Sequence, residues 1–171
     1  MYRVSTTVSR VMRVPRAPLF DWFIPVNLAD ILLGFGPLPG VVRTVGQTGP
    51  WSEPGSTRTV YLADGHTARE TVTEYEHPRY FAYTVRDFTN VLRPLVRGAT
   101  GQWWFEDQGE STQVKWTYTF ETRSALAVLV MFPVTKLLWH RYMRVAMDAM
   151  QRIVESQVAH SAVTPGKPAR F

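Results

Sequence analysis

Two charged residues raise the first question of chemistry: Arg58 in "STRTVYLA" and Glu70 in "TARETVTEYE". Between these runs lies "DGH", 64–66, a tight-turn sequence because Asp-Gly readily adopts positive φ. A hairpin centred there brings 58 and 70 to similar distances from the turn, side by side on paired strands. Arg58 shares two-residue parity with Val60 and Leu62, and Glu70 shares it with Val72. Both are therefore expected on the apolar face, provided the register does not slip. An inward ion pair is expensive unless closely matched, so it suggests a site. The competing reading is a salt bridge at the rim, worth less than about 1 kcal/mol. Tyr61, Tyr83 and Tyr118 add hydroxyls that could hold a ligand carbonyl or act as general acids. With ordinary pKa values of about 10 they would mostly donate hydrogen bonds. The bland alternative is amphipathic tyrosines reaching from core to solvent.

These residues need a frame. The stretch "GQWWFEDQGESTQVKWTYTF", 101–120, alternates apolar and polar positions on either side of the polar connector "EDQGES", which predicts a hairpin. One of its faces carries Trp103, Phe105, Trp116, Tyr118 and Phe120. From about 124 to 158 the period changes to helical, with Ser124 as candidate N-cap and Pro133 as a kink or break. Trp139, Met143, Ala146, Met150 and Ile153 form a stripe at spacings of three and four, with Met147 beside them. Flexible methionine and small alanine opposite large aromatics would suit a cavity wall, and equally a loosely specified core. Upstream, strands are expected at 3–12, at "VVRTVGQTG" and at "RYFAYTVRDF". Two short helices are expected after the first strand, one at about 16–23 and one with Asn27 as N-cap and Gly34 as stop. Residues 89–100 read as a connection, and "GFGPLPG" as a loop over a cavity mouth. One domain over 1–160 with a loose tail over 161–171 accounts for the 171 residues.

Composition narrows the classes. The chain has no cysteine, which removes disulfides, thiol catalysis and cysteine metal sites. The four histidines show neither i, i+4 spacing nor HExxH, so no metal site is expected. His140 is a candidate base, though a boundary histidine explains it as well. GxSxG, GxGxxG and P-loop patterns do not occur. The net charge of +5 is scattered and comes with no nucleic-acid motif, so no nucleic-acid partner is expected. Residues 1–15 lack the long apolar core of a signal peptide. The apolar run "ALAVLVMFPVTKLLW", 125–139, contains Pro133 and Lys136 and falls short of the roughly 20 residues a spanning helix needs. A cytoplasmic protein is expected. Residues 125–135 and Trp104 leave room for weak peripheral membrane contact or a homodimer.

The element order, with "HTARETVTEYEHPRYFAYTV" and "GQWWFEDQGESTQVKWTYTFETR", resembles the polyketide cyclase/dehydrase and lipid-transport group. That group lies within the START and birch-pollen-allergen superfamily (SRPBCC), and the likeness spans roughly residues 3–158. It implies an α+β helix-grip fold: a curved antiparallel sheet of about seven strands wrapped around a long C-terminal helix. It also implies a deep cavity between the two for a hydrophobic or polycyclic ligand, with no cofactor. These motifs mark a fold more than a reaction, and three functions stay open. The first is a carrier of a lipid, isoprenoid or polyketide, held by Tyr61, Trp103, Phe105, Trp116, Tyr118, Phe120, Trp139, Met143, Ala146, Met147 and Met150. The second is a cyclase, dehydratase or isomerase using Arg58, Glu70 and a tyrosine, Tyr83 first among them. The third is an interaction or stress-response protein with a vestigial cavity.

Overall fold

The computed structural model describes residues 2–163. Nine strands and four α-helices follow in the order β1 (Tyr2–Met12), α1 (Arg16–Phe23), α2 (Leu28–Ile31), β2 (Gly34–Phe35), β3 (Leu38–Pro39), β4 (Val41–Val45), β5 (Thr57–Leu62), β6 (Thr67–Glu76), β7 (Tyr80–Arg86), β8 (Val96–Asp107), β9 (Thr112–Thr122), α3 (Ala125–Pro133) and α4 (His140–Val163). A π-helical segment, Val134–Trp139, joins α3 to α4. Seven strands form one antiparallel sheet in the order β1-β9-β8-β7-β6-β5-β4, gripping the C-terminal helix: the helix-grip fold. The tail expected from 161 lies, from 164 onward, outside the described residues.

The two-residue period decides what each strand buries. Along β9, Thr112, Val114, Trp116, Tyr118, Phe120 and Thr122 are buried and their neighbours only half so. The β5–β6 hairpin closes as Asp-Gly dictates: Gly65 has φ of 84°, and the His66 N–H donates to the Asp64 Oδ1. Its register sets Arg58 opposite Glu70.

Two segments differ from the sequence reading. Residues 96–100, read as part of a connection, are the start of β8, where Val96 pairs Thr122 and Ala99 pairs Val85. A register shift between Val96 and Gly98 and two glycines, Gly98 and Gly101, break the alternation that would have marked this half of the strand. The "GFGPLPG" segment is a minimal hairpin of β2 and β3 rather than an open loop, and α2 ends before it, at Ile31. Gly34 has φ of 93° there, and a Cβ would meet Gly40 N at 2.8 Å.

At the far side of the hairpin the C-terminal helix changes character. Ser124 caps α3, accepting from the Ala127 N–H. Pro133 has no N–H to donate, and the π-helical segment follows it directly. From there α4 lays Met143, Ala146, Met147, Met150 and Val154 into the core.

Candidate functional site

A cavity of about 550 Å³ lies between the sheet, the π-helical segment and the loop that joins β7 to β8. The sheet contributes Val60, Leu62, Ala68 and Val85, of modest size, and the larger Glu70, Tyr83, Trp116 and Tyr118. The helical side contributes Met131, Val134, Leu138, Trp139 and Tyr142. Phe88, Leu92, Leu95 and the β2–β3 hairpin complete the wall. The indole of Trp139 stacks on the Tyr142 ring (centroids 4.7 Å, planes 13° apart) and leans on Tyr118 at 4.8 Å. Such ring pairs fix a wall that isolated aliphatic chains would not.

The inner end of this cavity is polar. Glu70 and Tyr83 line it, and both also line an adjoining space of about 30 Å³ shared with Arg58, Trp51 and Trp103. That space is about the size of one water. The Arg58 Nε donates to the Glu70 Oε2 at 2.8 Å, with both side chains 8% exposed. The guanidinium also lies 3.8 Å over the Trp51 ring, so it is held on two sides. Glu70 Oε1 takes no hydrogen bond from the described residues. The carboxylate therefore keeps one oxygen available to a guest.

Three phenols are close enough to feel that charge. Burial pushes the Tyr83 hydroxyl far above its usual range, and the Glu70 charge adds to the rise. The indoles of Trp103 and Trp116 and the Arg58 charge act in the opposite direction. Burial, then the neighbouring acidic groups Tyr83, Glu70 and Tyr142, raise Tyr118; burial and then Glu70 raise Tyr142. All three are neutral donors at neutral pH. The Trp116 Nε1, though felt by Tyr83, has no partner at hydrogen-bonding geometry, and neither does the Trp139 Nε1. Tyr83 owes its place to Gly101 opposite it, where a Cβ would lie 2.3 Å from the phenol ring.

The residues singled out from sequence divide into three groups. Arg58, Glu70 and Tyr83 come together at the inner end, and Trp116, Tyr118 and Trp139 stand on the large cavity's wall, with Trp103 on the smaller. Phe105, Phe120, Met143, Ala146, Met147 and Met150 line neither space: they are buried in solid core. Phe20 and Phe23 of α1 fill the region around Phe105, with Phe20 to Phe105 at 4.9 Å and Phe23 to Trp103 at 4.6 Å, whereas Phe120 packs against Tyr118 and Trp139. Tyr61 is on the outer face under Arg43, because the parity that turns Arg58 inward turns position 61 outward.

Other candidates are spoken for. His140 shares a hydrogen bond with Thr6, Nδ1 to Oγ1 at 2.9 Å, away from the cavity. Trp104 is half-buried beside Tyr80 and beneath Lys115. No metal-binding cluster of His or carboxylates occurs among the described residues.

Tyr142, Trp51 and Leu138 were missing from the sequence reading. Tyr142 could have been found, since it follows Trp139 by three and so shares its helical stripe. Trp51 could not, because it sits in a turn with no periodicity.

The sequence profile described as "Polyketide cyclase / dehydrase and lipid transport" matches residues 32–155. The chain belongs to that family. No curated protein sequence matches it. The fold is similar to the crystal structure of Ara h 8.0201, at 16% identity and TM-score 0.69 over 91% of this chain and 99% of that one. It is also similar to the Zhui aromatase/cyclase from Streptomyces sp. R1128, at 15% identity and TM-score 0.68 over 92% and 96%. Norcoclaurine synthase from Thalictrum flavum, in complex with dopamine and hydroxybenzaldehyde, gives 13% identity and TM-score 0.65 over 91% and 88%. Identities this low carry the fold alone. Family and fold together support a hydrophobic ligand-binding or polyketide cyclase-type function.

Proposed function

We propose that the chain binds a hydrophobic small molecule, of lipid, isoprenoid or polyketide type, in the 550 Å³ cavity. The observation that carries this reading is the cavity's construction: a wide, mostly apolar wall with Glu70 and Tyr83 at its inner end, and Asp64, His66 and Asn90 as its other polar lining. Its volume falls in the range of drug-sized ligand sites, about 300–1,000 Å³. Each methylene removed from water contributes about 0.8 kcal/mol, and the polar inner end selects which end of the guest enters first. Titration with an environment-sensitive apolar dye tests the reading. The wild-type chain is expected to bind it, and Ala68→Trp, which fills the cavity from β6, is expected to lose binding while keeping the melting transition. Undiminished binding by Ala68→Trp would place the dye elsewhere and defeat the reading.

A second reading is favoured by one observation, the open oxygen of Glu70 beside three neutral phenols. A phenol can donate to a ketone oxygen while the carboxylate accepts a proton from the adjacent carbon. Similarity to an aromatase/cyclase directs that chemistry toward cyclisation or dehydration of a polyketide-like chain. Glu70→Gln separates the two: a carrier keeps its affinity, whereas an enzyme binds and loses turnover.

A further inference from the structure

The cavity mouth is flanked by apolar side chains that a water-facing surface does not need. Leu126 (72% exposed), Leu129 (70%), Phe132 (55%) and Leu137 (63%) project from α3 and the π-helical segment. Leu126, Leu129, Val130, Pro133 and Leu137 follow spacings of three, one, three and four, a single helical stripe. Val130 belongs both to this stripe and to the cavity wall. Across the mouth, Val91 is 80% exposed and also lines the cavity. The patch and the interior are thus one continuous apolar surface.

The two stretches that carry the patch hold charge of one sign, although Asp64 also lines the cavity. No Asp or Glu occurs from 122 to 147, or from 88 to 99, whereas these stretches hold Arg93, Arg97, Arg123, Lys136, Arg141 and Arg144. The Arg123 Nε donates to the Arg93 carbonyl and the Arg123 N–H to the Leu95 carbonyl, which ties the basic loop to the start of α3. Arg93, Arg97 and Arg123 form no ion pair among the described residues. A second copy docked through this patch would set arginine against arginine, since a two-fold contact is self-complementary. Residues 156–171 contain no Asp or Glu.

We propose that α3, the 90–95 loop and the start of β8 dock on an anionic lipid bilayer, with the cavity mouth facing the membrane. Leucines and Phe132 enter the headgroup–acyl boundary, and the arginines meet lipid phosphates. No helix among the described residues is long and apolar enough to cross a membrane, so the contact is one of lying on the surface. This surface stands independently of what the cavity holds.

Flotation of the full chain with vesicles is the test. Binding is expected to phosphatidylcholine vesicles containing about a third phosphatidylglycerol, with much weaker binding to phosphatidylcholine alone, and with loss on raising salt. The double variant Leu126→Ser/Leu129→Ser should bind at least about tenfold more weakly, with its melting temperature and dye binding in the cavity unchanged. Arg93→Ala/Arg97→Ala should flatten the salt dependence. Failure of the wild type to float with either vesicle would overturn the proposal, as would unchanged flotation of the leucine variant. So would a dimer in sedimentation that the leucine substitutions convert to monomer, because that assigns the surface to a second copy.

Discussion

The inner face of the sheet is filled around Phe105 and hollow around Val85, although the same strands run through both regions. Around Phe105, α1 inserts Phe20 and Phe23, whose rings meet those of Phe105 and Trp103 at 4.6–5.3 Å. Around Val85 the sheet offers Val60, Leu62 and Ala68, and the helical side turns through its π-helical segment. No element inserts there. This helix-grip fold becomes a container at the end that α1 leaves unplugged. Aromatic content does not make the difference, since Tyr118, Trp116 and Trp139 wall the cavity as Phe105 and Trp103 fill the core.

Four tests can sharpen or break that contrast. The largest effect belongs at the filled end: Phe20→Ala should cost about 3–5 kcal/mol in chemical denaturation, because tightly packed rings cannot collapse into the gap. A smaller value, near that of a cavity residue, would mean the end is not solid. At the boundary between the two regions, Arg58→Ala should cost about 3 kcal/mol by leaving the Glu70 carboxylate buried without its partner, with Glu70→Gln milder at about 1–2 kcal/mol. Equal costs would place the pair in water rather than inside.

The third test is alkaline. Tyr83, Tyr118 and Tyr142 have folded pKa values above the unfolded value of about 10. The folded chain therefore holds more protons than the unfolded chain above that pH. Stability should be fully present below about pH 10 and fall above it. Phenolate absorbance should show these three of the seven tyrosines ionising only as the chain unfolds. Ionisation of all seven before unfolding would contradict their burial. The smallest effect belongs at the hollow end: Leu138→Ala should cost only about 1 kcal/mol, since that side chain already lacks partners on its cavity side.

Much of this was legible. The Asp-Gly turn and parity were enough to set Arg58 beside Glu70 and inward, and the shift from period two to period 3.6 located the helix that the sheet grips. Parity applied consistently would also have turned Tyr61 outward. Periodicity fails on a different question, where along an element the space lies. The Met143–Met150 stripe faces the core as its spacing requires, yet the hollow sits a turn earlier, at Val134, Leu138 and Tyr142. That offset depends on α1, more than a hundred residues away in sequence, filling the other end. The beginning of β8 escaped notice because a bulge and two glycines serve the sheet's bend and the Tyr83 ring rather than the alternation.

A crystal of the chain pressurised with xenon tests the central claim most directly, because xenon occupies dry apolar space of sufficient size. Density is expected among Ala68, Val85, Leu138 and Trp139, and none among Phe20, Phe105 and Met150. Side chains closed over the first region, or xenon only in the second, would contradict the account.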